Sequence, residues 1–138
     1  MAGAPAIRVL LMEDNPINQF IARVILEQQG CTVTAAEDGL QGLKIWQGGH
    51  FDLILMDCQM PRLDGYMTTR EIRDLESQDP ARKRTPVIAL TANAMPGDRE
   101  KCLDAGMDDY LAKPFTKKAL SDILSRWAER GTDTTARA

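Results

Sequence analysis

Phe51-Asp52-Leu53-Ile54-Leu55-Met56-Asp57 is the stretch that decides the fold. Four apolar residues in a row leave no polar side to face water, so Phe51 to Met56 is predicted as a strand buried on both faces. Strands of that kind sit in the middle of parallel sheets with helices packed front and back. Working outward, Ile7 to Met12 (IRVLLM) is a second short apolar strand. Asn15-Pro16 then starts a helix, because Asn caps orphan amides and proline loses nothing at the first helical position. Ile17, Phe20, Ile21 and Val24 recur at helical spacing and predict its apolar face, and Gly30 ends it. Cys31 to Ala35 makes a weaker strand. A helix follows from Asp38 to Gln47, with Leu40 and Leu43 inward and Gly48-Gly49 as its stop.

The same alternation continues toward the C-terminus. A helix capped by Asp64 runs to about Ser77, and the polar stretch Gln78 to Thr85 (QDPARKRT) is one extended solvated loop. Val87 to Thr91 is a strand, Pro96 to Ala105 a helix closed by Gly106, and Tyr110 to Ala112 a short strand. Thr116 caps a last helix with Leu120, Ile123, Leu124 and Trp127 on one face. Five strand–helix pairs with short, right-handed connections call for an α/β single domain, a five-stranded parallel sheet doubly wound in the order 2-1-3-4-5. Residues 7–128 make up that domain, with tails at 1–6 and 129–138, the latter small, polar and expected to fray.

Composition removes several functions. Seventeen basic against twenty acidic residues give a net charge of −3, so no broad basic field steers the chain to nucleic acid. The apolar runs are far shorter than a membrane span, and no signal-type segment opens the sequence. Cys31, Cys58 and Cys102 lie in periodic segments without CxxC or Cys/His spacing, which predicts reduced thiols in a cytoplasmic protein and no zinc site.

In a doubly wound sheet, ligands bind beyond the carboxyl ends of the strands. Glu13-Asp14, Asp57, Thr91 and Lys113 all stand at such ends, so residues 100 positions apart are predicted to converge on one rim. Gathered carboxylates repel by about 4 kcal/mol per pair at 4 Å and an effective dielectric near 20. Mg²⁺ accepts one or two such carboxylates together with waters and phosphate oxygens. An ammonium and a hydroxyl beside them complete a setting for phosphoryl transfer, in which one carboxylate serves as nucleophile. Each residue also has a structural explanation. Glu13-Asp14 would suit a helix N-terminus, Thr91 is an ordinary strand residue, Lys113 would balance the acids, and Tyr110 would simply pack. Trp46 and Trp127 read as helix-face packing, and His50, in a Gly-Gly-His turn, as an exposed loop residue.

The strings LLMEDNPINQ (10–19), DLILMDCQMPRLDGY (52–66), TPVIALTANAM (85–95) and AGMDDYLAKPF (105–115) together resemble the receiver domains of response regulators, above all those attached to hybrid sensor histidine kinases. The resemblance implies a flavodoxin-like (βα)5 fold with Asp57 as phosphoacceptor. It implies Mg²⁺ held by Asp14, Asp57 and the Gln59 backbone carbonyl, with Glu13 acting through water. Lys113 would hold the phosphoryl group, Thr91 would turn toward it, Tyr110 would follow inward, and the Lys113-Pro114 peptide would be cis. Leu63 and Met67 depart from the family pattern without touching these groups.

The phosphoryl group must come from elsewhere, because His50 is the only histidine. Its expected source is a histidine kinase domain or a histidine phosphotransfer protein, with partner readout on the face of the fourth helix, fifth strand and fifth helix. The chain is expected to be a receiver module of a cytoplasmic phosphorelay, excised from or tethered to a membrane-bound hybrid kinase, and not a turnover enzyme. Two alternatives remain. One is a degenerate receiver that binds partners without phosphorylation. The other is a haloacid-dehalogenase-type phosphatase, which would need an acid where Gln59 stands.

Overall fold

The computed structural model describes residues 7–58, 64–91, 97–112 and 116–137. In chain order it forms β1 (Ile7–Met12), α1 (Pro16–Gln28), β2 (Cys31–Ala36), α2 (Gly39–Gln47), β3 (Leu53–Asp57), α3 (Gly65–Gln78), β4 (Val87–Thr91), α4 (Asp98–Ala105), β5 (Asp109–Ala112) and α5 (Lys117–Arg137). The five strands are parallel and ordered β2-β1-β3-β4-β5, the doubly wound sheet expected from the sequence. Every residue of β3 is buried, as its unbroken apolar run requires.

Strand alternation divides the core between the two faces of the sheet. Val9, Leu11, Leu53, Leu55, Ile88 and Leu90 meet Ala22 and Leu26 of α1 and Leu120, Ile123 and Leu124 of α5. Leu10, Met12, Ile54, Met56, Val87 and Ala89 meet Trp46 of α2, Ile72 of α3 and Cys102 of α4. Burying each Leu or Ile in these layers contributes about 2 kcal/mol. All three cysteines are buried and none forms a disulfide, and no described helix is long and apolar enough to cross a membrane.

Three expectations need correction. In α1 the predicted inward stripe faces water: Ile17 is 69% exposed, Phe20 67% and Ile21 43%. The helix turns Ala22 and Leu26 to the sheet instead, because alanine lets the backbone lie close while leucine fills the space one turn on. In α2, Leu40 is half exposed, and Gly39, Gly42 and Trp46 face inward. A Cβ on Gly42 would lie 2.3 Å from Met12 Sδ, so α2 approaches β1 closely enough that a larger residue would have to push the buried Met12 side chain aside. Third, the polar tail does not interrupt α5, which continues to Arg137. One glycine costs about 1 kcal/mol in a helix, and no proline follows to remove a hydrogen bond.

The helix starts obey their caps. Asn15 Oδ1 accepts from the amides of Ile17 and Asn18 at 2.9 and 3.1 Å. Asp38 accepts from Gln41 N, Asp64 from Met67 N and Thr116 from Ala119 N.

The amino ends of the strands are tied by matched charges. Arg73 of α3 donates to Asp108 Oδ2 and Glu76 Oε1 at 2.8 Å, to the Gly106 carbonyl at 2.8 Å and to the Thr85 carbonyl at 2.9 Å. Arg84 pairs with the other oxygen of Asp108, and Val87 N also donates to Asp108. On the facing side of β5, Asp109 Oδ2 accepts from Arg126 Nη1 at 2.8 Å and from the Trp127 indole at 3.0 Å.

Candidate metal and phosphoacceptor site

Among the described residues, three acids gather at the carboxyl ends of the strands. Met12 and Met56 are paired in register, so Glu13 and Asp14, just past β1, lie beside Asp57, the last residue of β3. One carboxylate oxygen from each of Glu13, Asp14 and Asp57 falls within 4.8 Å of the other two. Glu13 and Asp57 are buried, and Asp14 is exposed. Two ionised carboxylates at this distance repel by about 3 kcal/mol at an effective dielectric near 20. A buried pair and an exposed third, all hard oxygen donors with one side open to water, fit an oxygen-seeking divalent cation.

Each acid is set by local hydrogen bonding. The Glu13 amide continues the β1–β2 ladder to the Ala36 carbonyl at 3.0 Å, and its own carbonyl accepts from Gln19 Nε2 at 3.0 Å. The Asn15 amide donates to Glu13 Oε2 at 3.2 Å, so the residue that caps α1 also orients the acid. Behind Asp57, the Cys58 amide donates to the Leu90 carbonyl at 3.1 Å, and the Cys58 carbonyl accepts from Gly65 at 3.2 Å. A Cβ on Gly65 would lie 2.5 Å from the Asp57 carbonyl oxygen and 2.9 Å from Cys58 Cα. The first turn of α3 is therefore seated directly on the backbone of Asp57.

Burial pushes the Cys58 thiol up to about 12, the Tyr66 hydroxyl opposing this as a donor and Cys102 and Asp57 reinforcing it. Cys58 therefore stays a neutral thiol and is no nucleophile. Lys101 Nζ lies 4.9 Å from the centroid of the Tyr66 ring.

The structure thus brings together Glu13, Asp14 and Asp57, as the sequence predicts. Thr91 closes β4 half-buried, and Leu90, its predecessor, pairs with Asp57. Tyr110 is half-buried on β5 and packs into the core layer that holds Met56 and Cys58. Gln59, Leu63, Lys113 and Pro114 lie outside the described residues. The sequence did not single out Gln19, Gly65, Tyr66 or Lys101. Only the Asp-Gly pair at 64–65, a helix cap followed by a residue without Cβ, could have signalled one of them.

Comparison with known proteins gives a consistent picture. Residues 9–125 match the profile of the response regulator receiver domain. The receiver domain of a sensor histidine kinase from Pseudomonas aeruginosa, crystallised with magnesium coordinated in its active site cleft, is 50% identical with a TM-score of 0.80. That likeness covers 91% of this chain and 99% of the other. The receiver domain of the response regulator Ssk1 from Saccharomyces cerevisiae, co-crystallised with the histidine phosphotransfer protein Ypd1, is 36% identical with a TM-score of 0.85, over 90% of each chain. The sensor protein GacS of Pseudomonas syringae pv. syringae is 40% identical over 120 residues, 87% of this chain and 13% of GacS. The chain therefore spans about an eighth of that relative's length.

Proposed function

Since this chain belongs to the receiver domains of response regulators, we propose that it receives a phosphoryl group on Asp57 from a phosphohistidine in a two-component phosphorelay. The single observation that carries this reading is the meeting of Glu13, Asp14 and Asp57 at the carboxyl ends of β1 and β3. A carboxylate oxygen of Asp57 attacks phosphorus, the P–N bond to the donor histidine breaks, and its electron pair returns to the imidazole, which takes up a proton. Water later attacks the acyl phosphate and returns Asp57 to the carboxylate.

Asp14, Asp57 and the Gln59 carbonyl, with Glu13 through water, are the residues proposed to hold Mg²⁺. The bound ion supplies positive charge at the phosphoryl oxygens, where an anionic nucleophile would otherwise be repelled. The three acids fit that role, being hard donors on one open-sided pocket. Lys113 is proposed to hold a phosphoryl oxygen, and Thr91 to turn its hydroxyl toward another. Tyr110 then follows inward, and the face of α4, β5 and α5 changes shape for the partner that reads it. The phosphatase alternative wants an acid at the position of Gln59 and is not adopted.

The donor is a histidine kinase domain or a histidine phosphotransfer protein. The misplaced stripe of α1 supports a place for it. Ile17, Phe20 and Ile21 present an exposed apolar patch on the helix that starts two residues beyond Asp14. A protein bringing its histidine to Asp57 has to cross this rim, and an apolar helical face on the donor would bury the patch. The chain is proposed to work in the cytoplasm as the receiver module of a hybrid sensor kinase.

Incubation with acetyl phosphate and Mg²⁺, followed by intact mass measurement, tests the reading. One phosphoryl group adds to the native protein, and none adds to Asp57→Asn or after chelation. Equal addition to Asp57→Asn would overturn the assignment of the acceptor. A native protein that takes no phosphoryl group, yet binds its partner, would be a degenerate receiver.

A further inference from the structure

α4 is fastened unequally along its length. At its C-terminal end the Gly106 carbonyl accepts from Arg73 Nε at 2.8 Å, and Ala105 and Met107 are buried. At the end nearer the acids, Gly97 caps the helix with φ of 97° and no side-chain hydrogen bond. One turn further in, Lys101 reaches Tyr66 on α3, and Cys102 packs in the cluster that holds Cys58, just past β3. The exposed Lys101 holds its ammonium 4.9 Å from the centroid of the Tyr66 ring. Cys102 and Cys58 are buried in one core cluster, and Tyr66 packs against it. Tyr66 therefore touches α4 directly through its ring and indirectly through the cluster that holds Cys58, the residue that follows Asp57.

Its own position is rigidly tied to the acceptor. Tyr66 follows Gly65, whose Cα carries no Cβ because one would meet the Asp57 carbonyl at 2.5 Å. Packing this tight does not deform continuously. A shift of the Asp57 backbone on gaining a phosphoryl group therefore moves the first turn of α3, and the Tyr66 ring with it.

Resting on the phosphoacceptor reading above, we infer that Tyr66 is a positioning residue for the switch, holding α4 in its resting place until the pocket is occupied. Lys101 over the ring is the latch. An exposed cation–π contact is weak enough to open and strong enough to bias two states. If the contact belongs to the resting state alone, reciprocity requires that its loss favours occupation of the pocket.

Beryllofluoride, a phosphoryl mimic, titrated with Mg²⁺ in saturating amount and followed by NMR, reads this directly. Lys101→Ala, an exposed position that leaves the core intact, is expected to bind the mimic about two- to five-fold more tightly than the native protein. Lys101→Arg, which keeps a cation over the ring, returns to the native affinity. Tyr66→Phe keeps the ring, loses the hydroxyl to Cys58, and shifts in the same direction as Lys101→Ala. Lys118→Ala, which removes a surface pair with Asp122 on α5, leaves the affinity unchanged. Native affinity in both Lys101→Ala and Tyr66→Phe overturns the inference, even if either variant melts at a lower temperature. Native protein that binds no beryllofluoride at all overturns the phosphoacceptor reading instead.

Discussion

The two rims of the sheet are built from the same kinds of residue and put to opposite ends. At the amino rim, Asp108 and Glu76 meet Arg73 and Arg84, and Asp109 meets Arg126 and the Trp127 indole. Carboxylates there accept from fixed donors at 2.7 to 3.0 Å, and they fasten α3, β4, β5 and α5 to one another. At the carboxyl rim, Glu13, Asp14 and Asp57 crowd within 4.8 Å. The difference teaches where stability resides: one rim stabilises the fold by matching charge, while the other, among the described residues, holds like charges together that a bound cation would relieve. Neutralising an acid should therefore have opposite signs at the two ends.

The largest effect is expected at Asp108. Asp108→Ala strips Arg73 and Arg84 of a shared carboxylate and the Val87 amide of its partner, leaving the largely buried Arg73 guanidinium with Glu76 in place of two paired acids. Stability in urea should fall by about 3 kcal/mol, the usual cost of breaking one side of such a pair. A loss below about 0.5 kcal/mol would erase the distinction between the rims.

At the other rim, Asp57→Asn removes one charge from the acidic group and keeps its shape. It should raise stability in the absence of metal by about 1 kcal/mol, less than the pair repulsion because asparagine must still satisfy the contacts of the carboxylate. Added Mg²⁺ should then raise the melting temperature of the native protein and leave the variant almost unmoved. Destabilisation by Asp57→Asn without metal would mean that the carboxyl rim is as well matched as the amino one.

Asp109 sharpens the comparison through pH. Burial pushes its carboxyl up, yet donation by Trp127, Tyr110 and Arg126 outweighs this and holds it below the usual value. A carboxyl depressed in the folded state contributes stability that is complete above its unfolded value near 4 and is lost as pH falls through the folded one. Asp109→Asn should therefore cost about 1 kcal/mol near neutrality, discounted because Arg126 is 57% exposed. The gap between native and variant should close only below about pH 4. Thermal melts at pH 7, 5 and 3 measure it.

What could be read in advance follows from how local each signal is. The run Leu53 to Met56 specifies a strand buried on both faces without reference to anything else, and with it the position of Asp57 at a strand end. Parallel register then brings Glu13 and Asp14 alongside, so the acidic site was legible although its members are 43 residues apart. The matched rim was not legible. Arg73 and Asp108 are 35 residues apart on a helix and a loop, and nothing in either residue type names its partner. Nor was the contact of Gly65 with Asp57, since absence of a side chain marks a close approach without saying to what.

The smallest effect on stability is expected where the sequence misled most. α1 carries two candidate faces, Ile17/Phe20/Ile21 and Ala22/Leu26, and periodicity weighs the larger residues more heavily. Packing chose the smaller face, so the larger one is available to a partner. Phe20→Ser should change stability by no more than about 0.5 kcal/mol, as expected for an exposed position. It should slow phosphoryl transfer from a phosphohistidine protein several-fold while leaving phosphorylation by acetyl phosphate at the native rate. Small donors need no docking surface, and protein donors do. Equal slowing with both donors would place Phe20 in the service of the pocket itself. A large loss of stability would return it to the core and close the case for a docking face.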